Sequence, residues 1–188
     1  MSADDMRSEG TQVLTLPGWQ GSGPGHWQTL WERDLGAVRV EQHDWMRPLR
    51  GDWCARLDEV LVDRDGPVLL AAHSLGCLLV AAWAAHSRQI SRVRGALLVA
   101  PPDLGPEPLR AQLPGWWPVP RERLPFPATL VASRDDPYGS FAHAEGLARD
   151  WGCALRDAGP RGHINAESGL GDWPEGRRWL RALDRNEN

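Results

Sequence analysis

Short apolar runs alternate along the chain with longer segments in which apolar residues recur every three or four positions. The runs are rich in Val, Leu and Ala and mostly uninterrupted, which is typical of strands buried on both faces. They predict strands at residues 13–16, 38–42, 68–72, 96–100, 129–133 and 154–158. The helical spacing predicts helices at residues 26–35, 52–62, 75–86, 141–151 and 174–183. This alternation predicts an α/β fold: a mostly parallel sheet of about six strands with helices on both faces.

Two features modify this picture. Charged residues interrupt the runs at 38–42 and 154–158, which predicts that these are edge or near-edge strands. Residues 101–127 are rich in proline and contain the pair Trp116 and Trp117, so they predict an irregular excursion over the sheet rather than a helix. That excursion could form a lid or a pocket wall, or its tryptophans could pack down onto the sheet.

Length and composition favour a single domain. The chain has 188 residues and 41% hydrophobic content, enough for one sizeable core but too little for two ordinary enzyme domains. We therefore expect one domain over residues 1–188, with residues 1–10 as a disordered tail. The first ten residues are polar and no apolar stretch reaches the ~20 residues that cross a bilayer. These observations predict a cytoplasmic protein without membrane contact.

Charge and cysteine usage narrow the possible ligands. The formal net charge is -4, and the 21 cationic residues, all arginine, are scattered among acids, which disfavours nucleic acid as a partner. Cys54, Cys77 and Cys153 are widely spaced and form no CxxC pair. We expect reduced, mostly buried thiols and predict no metal and no cofactor.

The strongest chemical signal is the segment Ala71-Ala72-His73-Ser74-Leu75-Gly76-Cys77, between an apolar strand and an Ala/Leu-rich helix. A serine in that turn lies at the carboxyl edge of a parallel sheet and at a helix N-terminus, where a developing anion is favoured. Ala72 and Gly76 are small, as the close approach of strand and helix requires. The pattern is G-x-S-x-G with alanine first, typical of the nucleophile elbow of α/β hydrolases. A serine that only caps the helix is the alternative.

A serine nucleophile needs a base, and the base needs an orienting carboxylate, in the chain order Ser, Asp or Glu, His. Asp135 and Asp136 directly follow the strand at 129–133. We select Asp136 because Pro137 follows it in an Asp-Pro turn, and Asp135 remains the competitor. His163, on a glycine-flanked loop after the next strand, fits the base.

The first strand leads into a glycine-rich loop, Leu16-Pro17-Gly18-Trp19-Gln20-Gly21. The loop lacks the G-x-x-x-x-G-K-[ST] pattern of phosphate-binding loops. In an α/β hydrolase this loop donates one backbone N–H to the oxyanion, and the residue after the nucleophile donates the other. Trp19 and Leu75 are the predicted donors.

Taken together, these segments resemble the small α/β hydrolases of the retinoblastoma-binding protein 9 and YdeN family, in its bacterial branch. The resemblance covers nearly the whole chain and is carried by LPGWQGSGPGHWQTLWE, VEQHDW, AAHSLGC, LLVAPPD, SRDDPY and GHIN. It implies an α/β-hydrolase fold with a minimal cap or none, a Ser-Asp-His triad at Ser74, Asp136 and His163, and esterase-like activity. The vertebrate member's L-x-C-x-E motif for the retinoblastoma protein is absent, since Leu79 stands where glutamate belongs. That partner is not expected.

Three functional classes stay open: a hydrolase of carboxylic esters, thioesters or small amides; a non-catalytic binding protein; and an acyl transferase or lyase with the same triad. The expected partner is a small ester-like molecule. Because so short a chain must build its pocket from loops, we expect small or medium apolar acyl groups. The predicted wall residues are Trp19, His26, Trp116 and Trp117.

Overall fold

Six parallel strands form the sheet at the centre of the protein. The computed structural model describes residues 10–184. Its strands are β1 (Gln12–Leu16), β2 (Val38–Arg39), β3 (Val68–His73), β4 (Val93–Val99), β5 (Ala128–Ala132) and β6 (Ala154–Asp157). They lie in the order β2-β1-β3-β4-β5-β6 with every neighbouring pair parallel, so β2 and β6 are the edges, as predicted. Apart from Gly10, the tail predicted for residues 1–10 lies outside the described residues.

Helices cover both faces of this sheet. They are α1 (Trp27–Leu35), α2 (Arg50–Val62), α3 (Leu75–Ala84), α4 (Leu109–Gln112), α5 (Phe141–Trp151) and α6 (Pro174–Asp184). The buried side chains of α2, α3 and α5 form one core with the sheet, and those of α1 and α6 form a second core on the opposite face. The five predicted helices are confirmed, with ends that differ by no more than two residues.

The central strand β3 shows why the chain folds in layers. Side chains alternate between the two faces of a strand. Leu70 and Ala72 accordingly enter the core beneath α2 and α3, whereas Leu69 and Ala71 enter the core beneath α1 and α6. An uninterrupted apolar run is therefore required, and it places residue 74 at the carboxyl edge in the middle of the sheet.

The edge strand β2 is shorter than predicted. Only Val38 and Arg39 form the strand, although the Val40 N–H still donates to the Thr15 carbonyl at 3.0 Å. Beyond that point Glu41 is exposed to solvent. An edge strand has a neighbour on one side only, so a charged residue can leave the sheet after a few hydrogen bonds.

The irregular character predicted for residues 101–127 is confirmed. The segment connects β4 to β5, with the single turn of α4 near its middle. Trp116 packs down onto α2, with its ring 5.5 Å from that of Trp53, and its indole N–H donates to the Pro48 carbonyl at 2.9 Å. The described chain therefore has at most a minimal cap.

No helix within residues 10–184 is long and apolar enough to cross a membrane. The three cysteines are free thiols; Cys77 is buried, and Cys54 and Cys153 are partly buried.

Candidate active site

Ser74 occupies a strained turn between β3 and α3. Its φ of 55° and ψ of -122° lie in a region that non-glycine residues rarely adopt. The surrounding sheet holds this conformation, since the Ser74 N–H donates to the Val99 carbonyl of β4 at 2.9 Å. A strained serine at a strand-to-helix turn is the geometry of a nucleophile elbow. Ser74 is partly exposed in this turn although β3 itself is buried.

Close backbone contacts explain the small residues around this turn. A Cβ added to Gly76 would lie 2.1 Å from the Leu16 carbonyl oxygen, so α3 approaches β1 too closely for any side chain there. A Cβ added to Gly18 would lie 2.8 Å from the Ser74 Cβ. Both glycines are therefore steric requirements of the site, and Gly18 brings the glycine-rich loop directly against Ser74.

The structure brings the three predicted side chains into one hydrogen-bonded chain. The His163 Nε2 lies 2.9 Å from the Ser74 Oγ, and its Nδ1 lies 2.9 and 3.0 Å from the two carboxylate oxygens of Asp136. A carboxylate only accepts hydrogen bonds, so Nδ1 carries the proton and Nε2 is left to accept from the serine hydroxyl. The His163 and Asp136 side chains are only 11% and 4% exposed, which shields their contact from water.

Asp135, the competing acid, points elsewhere. Its Oδ1 accepts from the Ser133 hydroxyl and from the Gly162 N–H, each at 2.8 Å. These two hydrogen bonds, the serine's first, hold the pKa of the Asp135 carboxyl below its usual range. The structure thus places the Asp136 carboxylate against the His163 ring. The Asp135 carboxylate instead connects the end of β5 to the loop that carries His163.

Two further contacts anchor that loop. The Trp27 indole N–H donates to the Ile164 carbonyl at 3.0 Å, across 137 residues of sequence. The His73 Nε2 lies 2.8 Å from the backbone carbonyl of His163 itself. The loop is therefore held at residues 162, 163 and 164, from the turn after β5, from β3 and from α1.

The two predicted oxyanion donors flank the serine. Leu75 is the first residue of α3, so its N–H has no partner within the helix. The glycine-rich loop that carries Trp19 is tied to β3 through Gln28, which accepts from the Ser22 hydroxyl at 2.7 Å and donates to the Ala71 carbonyl at 2.8 Å. Within residues 10–184 neither the Trp19 nor the Leu75 backbone N–H donates to a protein acceptor.

A half-open cavity of about 340 Å³ lies over Ser74. Its wall residues include Trp19, His26, Pro102, Leu109, Leu113 and Tyr138. A larger cavity of about 930 Å³ lies between α2, the end of α3 and residues 118–125, but Ser74 and His163 do not line it. The smaller cavity is therefore the candidate substrate site, and the structure places the predicted wall residues Trp19 and His26 in it.

The prediction that Trp116 and Trp117 line the pocket is wrong. Trp116 is 1% exposed and packs against Trp53 in the core beneath α2. Trp117 is 44% exposed and is not among the residues around the cavity. The buried Trp116 ring and its hydrogen bond to the Pro48 carbonyl hold this part of the segment against α2. Leu109 and Leu113, earlier in the same segment, line the cavity instead.

Tyr138 is a site residue that the sequence analysis did not identify. Its ring lies 4.6 Å from the His163 ring and forms part of the cavity wall. Its N–H also donates to the Asp136 Oδ1 at 2.9 Å, which orients the carboxylate. The sequence feature that could have identified Tyr138 is its position two residues after Asp136, at the same edge of the sheet.

Two buried histidines beside the triad residues are held neutral. Burial, followed by the charges of His163 and Arg39, lowers the pKa of His26 to about 3. The His26 Nδ1 accepts from the Gln28 N–H at the start of α1, so His26 also caps that helix. Burial, followed by His26 and His163, holds the pKa of His73 well below its usual value.

No group of three or more His, Cys, Asp or Glu residues within the described range 10–184 is placed to hold a metal ion.

Comparison with known proteins shows the family to which the chain belongs. Residues 13–182 match the family model described as serine hydrolase. The structure of a YdeN-like hydrolase from Pectobacterium atrosepticum is 30% identical, with a TM-score of 0.80 and 92% of each chain covered. The ydeN gene product of Bacillus subtilis is 20% identical, with a TM-score of 0.74 over 92% of this chain and 98% of its own. No curated protein matches the chain.

A third similar structure shows the fold. A hydrolase of the α/β superfamily from Xanthomonas campestris is 22% identical, with a TM-score of 0.57 over 93% of this chain and 96% of its own. The parallel sheet with helices on both faces is thus an α/β-hydrolase fold. With the family model spanning residues 13–182, the chain belongs to the serine hydrolase family, the family of retinoblastoma-binding protein 9 and YdeN.

Proposed function

We propose that this hydrolase cleaves carboxylic esters of small acyl groups through an acyl-enzyme intermediate on Ser74. The observation that carries the proposal is the chain of hydrogen bonds from the Ser74 Oγ to the His163 Nε2 and from the His163 Nδ1 to Asp136. In that arrangement the nucleophile, the base and the orienting acid are already within hydrogen-bonding distance.

In the first half-reaction the Ser74 Oγ attacks the ester carbonyl carbon while His163 Nε2 takes the hydroxyl proton. Asp136 stabilises the resulting imidazolium and keeps Nδ1 protonated. The carbonyl oxygen becomes an oxyanion, which accepts hydrogen bonds from the backbone N–H groups of Trp19 and Leu75. When the tetrahedral intermediate collapses, the bond to the alcohol breaks and His163 gives its proton to the leaving oxygen.

In the second half-reaction water replaces the alcohol. His163 Nε2 takes a proton from the water as it attacks the acyl carbon, and the intermediate collapses with return of that proton to the Ser74 Oγ. The acid is released and the enzyme is regenerated. If an amine, thiol or alcohol reached the acyl-enzyme before water, the same residues would transfer the acyl group.

The cavity supports a small or medium apolar acyl group. Pro102, Leu109 and Leu113 are apolar residues in the lining of a space of about 340 Å³. That volume is at the lower end of ~300–1,000 Å³ for small-molecule pockets. Ser74 and His163 line the same space, so the ester carbonyl is expected next to them and the acyl chain against the leucines.

The decisive experiment replaces the nucleophile. We expect Ser74→Ala to lower kcat for a p-nitrophenyl ester by ~10⁴- to 10⁶-fold, since triad members act as a unit. The same variant should lose labelling by a fluorophosphonate probe, which reacts with activated serines. Ser91→Ala is the control, because this exposed serine lies in the turn just before β4, at the edge of the sheet opposite to the elbow. Wild-type turnover in purified Ser74→Ala would overturn the proposal.

A further inference from the structure

His73 has no part in the reaction as proposed, yet it lies in direct contact with the base. It is the last residue of β3, directly before Ser74, and is 5% exposed. Its ring lies between two others, with its centroid 4.6 Å from that of His26 and 4.8 Å from that of His163. A polar ring that is buried at the end of a strand requires a hydrogen-bond partner.

The partner is the backbone of the base. The His73 Nε2 lies 2.8 Å from the His163 carbonyl oxygen. A carbonyl only accepts hydrogen bonds, so Nε2 carries the proton and donates it. Burial beside His26 and His163 keeps His73 uncharged, and a neutral ring allows the imidazolium to form on His163 without a second positive charge beside it.

The hydrogen bond from His73 connects the backbone of the base to the residue next to the nucleophile. The nucleophile and the base are 89 residues apart, yet residue 73 is bonded to the base and residue 74 is the nucleophile. The other hydrogen bonds that anchor the backbone near this residue are made by the Arg161 N–H, the Gly162 N–H and the Ile164 carbonyl. Among these contacts only the one from His73 holds the backbone of residue 163 itself, and it does so from the strand that presents Ser74.

We propose that His73 is a positioning residue, which holds the backbone of His163 at the distance where its Nε2 accepts from the Ser74 hydroxyl. This inference rests on the proposed function, because it assumes that His163 acts as the base. A displacement of about 1 Å can cost ~10²-fold in rate, so one hydrogen bond at this place can matter.

A matched pair of substitutions tests it. Gln and Met have similar length, but only Gln keeps an N–H donor at about the distance of Nε2 from the backbone. We expect His73→Met to lower kcat on a p-nitrophenyl ester ~10- to 100-fold with little change in KM. His73→Gln should recover most of that loss. Leu70→Ala, a core truncation on the same strand that does not line the cavity, serves as the control for lost stability and should keep kcat near wild type.

Equal kcat values for His73→Met and wild type, or for the Met and Gln variants, would overturn the inference while leaving hydrolysis through Ser74 intact. The wild-type protein provides a second measurement if a variant fails to fold. NMR scalar coupling across the hydrogen bond should connect the His73 Nε2 to the His163 carbonyl carbon. A neutral His73 protonated on Nδ1 would contradict the inference without any substitution.

Discussion

Two adjacent carboxylates at the end of β5 make different contacts. Asp136 faces the imidazole of His163 with a side chain that is 4% exposed, whereas Asp135 is exposed and accepts from Ser133 and Gly162. Both lie at the carboxyl edge of the same strand, so their identity alone does not separate them. The direction of the side chain in the turn decides which one contacts the His163 ring.

Substitution of each acid by its amide tests that division. We expect Asp136→Asn to lower kcat by ~10³- to 10⁴-fold, because an amide no longer favours the Nδ1–H form of the histidine. Asp135→Asn should cost far less, since its amide oxygen can still accept from the Gly162 N–H. Steady-state hydrolysis of one activated ester measures both. The reverse order would move the orienting acid to Asp135.

The lowered pKa of His26 predicts how the free energy of unfolding depends on pH. Its pKa is about 3 in the folded protein against its ordinary 6.5, so as pH falls below 6.5 the unfolded chain binds a proton that the folded chain does not. The free energy of unfolding should therefore be highest above pH 6.5 and decline towards pH 3. At pH 5 the loss from His26 is about 2 kcal/mol.

Urea denaturation at pH 7 and pH 5 measures this loss. His26→Asn is the informative variant, because asparagine keeps the cap of α1 but has no proton to gain. It should show a smaller decline than wild type, and the remainder should reflect His73 and His143, whose pKa values burial also lowers. The carboxyls with lowered pKa values act at more acidic pH, below about 4. An unchanged decline in His26→Asn would exclude His26 as a source.

The turn from β3 into α3 depends on backbone proximity. Because a Cβ at Gly76 would lie 2.1 Å from the Leu16 carbonyl, we expect Gly76→Ala to destabilise the fold by roughly 3 kcal/mol or more and to disturb Ser74. Thermal unfolding with an activity assay measures both effects. Gly51→Ala is the matched control: Gly51 lies in α2 with open space around its Cβ position, so alanine should stabilise by about 0.5–1 kcal/mol.

The elements that could be predicted from sequence are those with local signals. The alternation of apolar runs and helical spacing predicted all six strands and five of the helices, and the small residues around Ser74 predicted the elbow. The site residues that could not be predicted correctly from the sequence depend on contacts between distant segments. Trp116 is drawn into the core by Trp53 and the Pro48 carbonyl, and Tyr138 reaches His163 only because two loops meet at the sheet edge.

The dimensions of the cavity predict substrate preference. We expect kcat/KM for p-nitrophenyl esters to rise from acetate to medium-length acyl groups and to fall well before palmitate, because about 340 Å³ cannot enclose a long chain. Leu113 forms part of the apolar wall, so Leu113→Ala should move the optimum to longer acyl groups. Rising activity through palmitate in the wild type would instead require a groove that extends beyond this cavity.

The position of β6 has a consequence for how the enzyme loses activity. The chain leads from this edge strand into the loop of His163. Within residues 10–184, β6 pairs only with β5 and is largely exposed. Ser74, in contrast, is fixed to the centre of the sheet. Edge elements open at lower free energy than the core. Mild denaturant should therefore open β6 and the loop of His163 first. Hydrolytic activity should then be lost at a lower denaturant concentration than the helical circular dichroism signal.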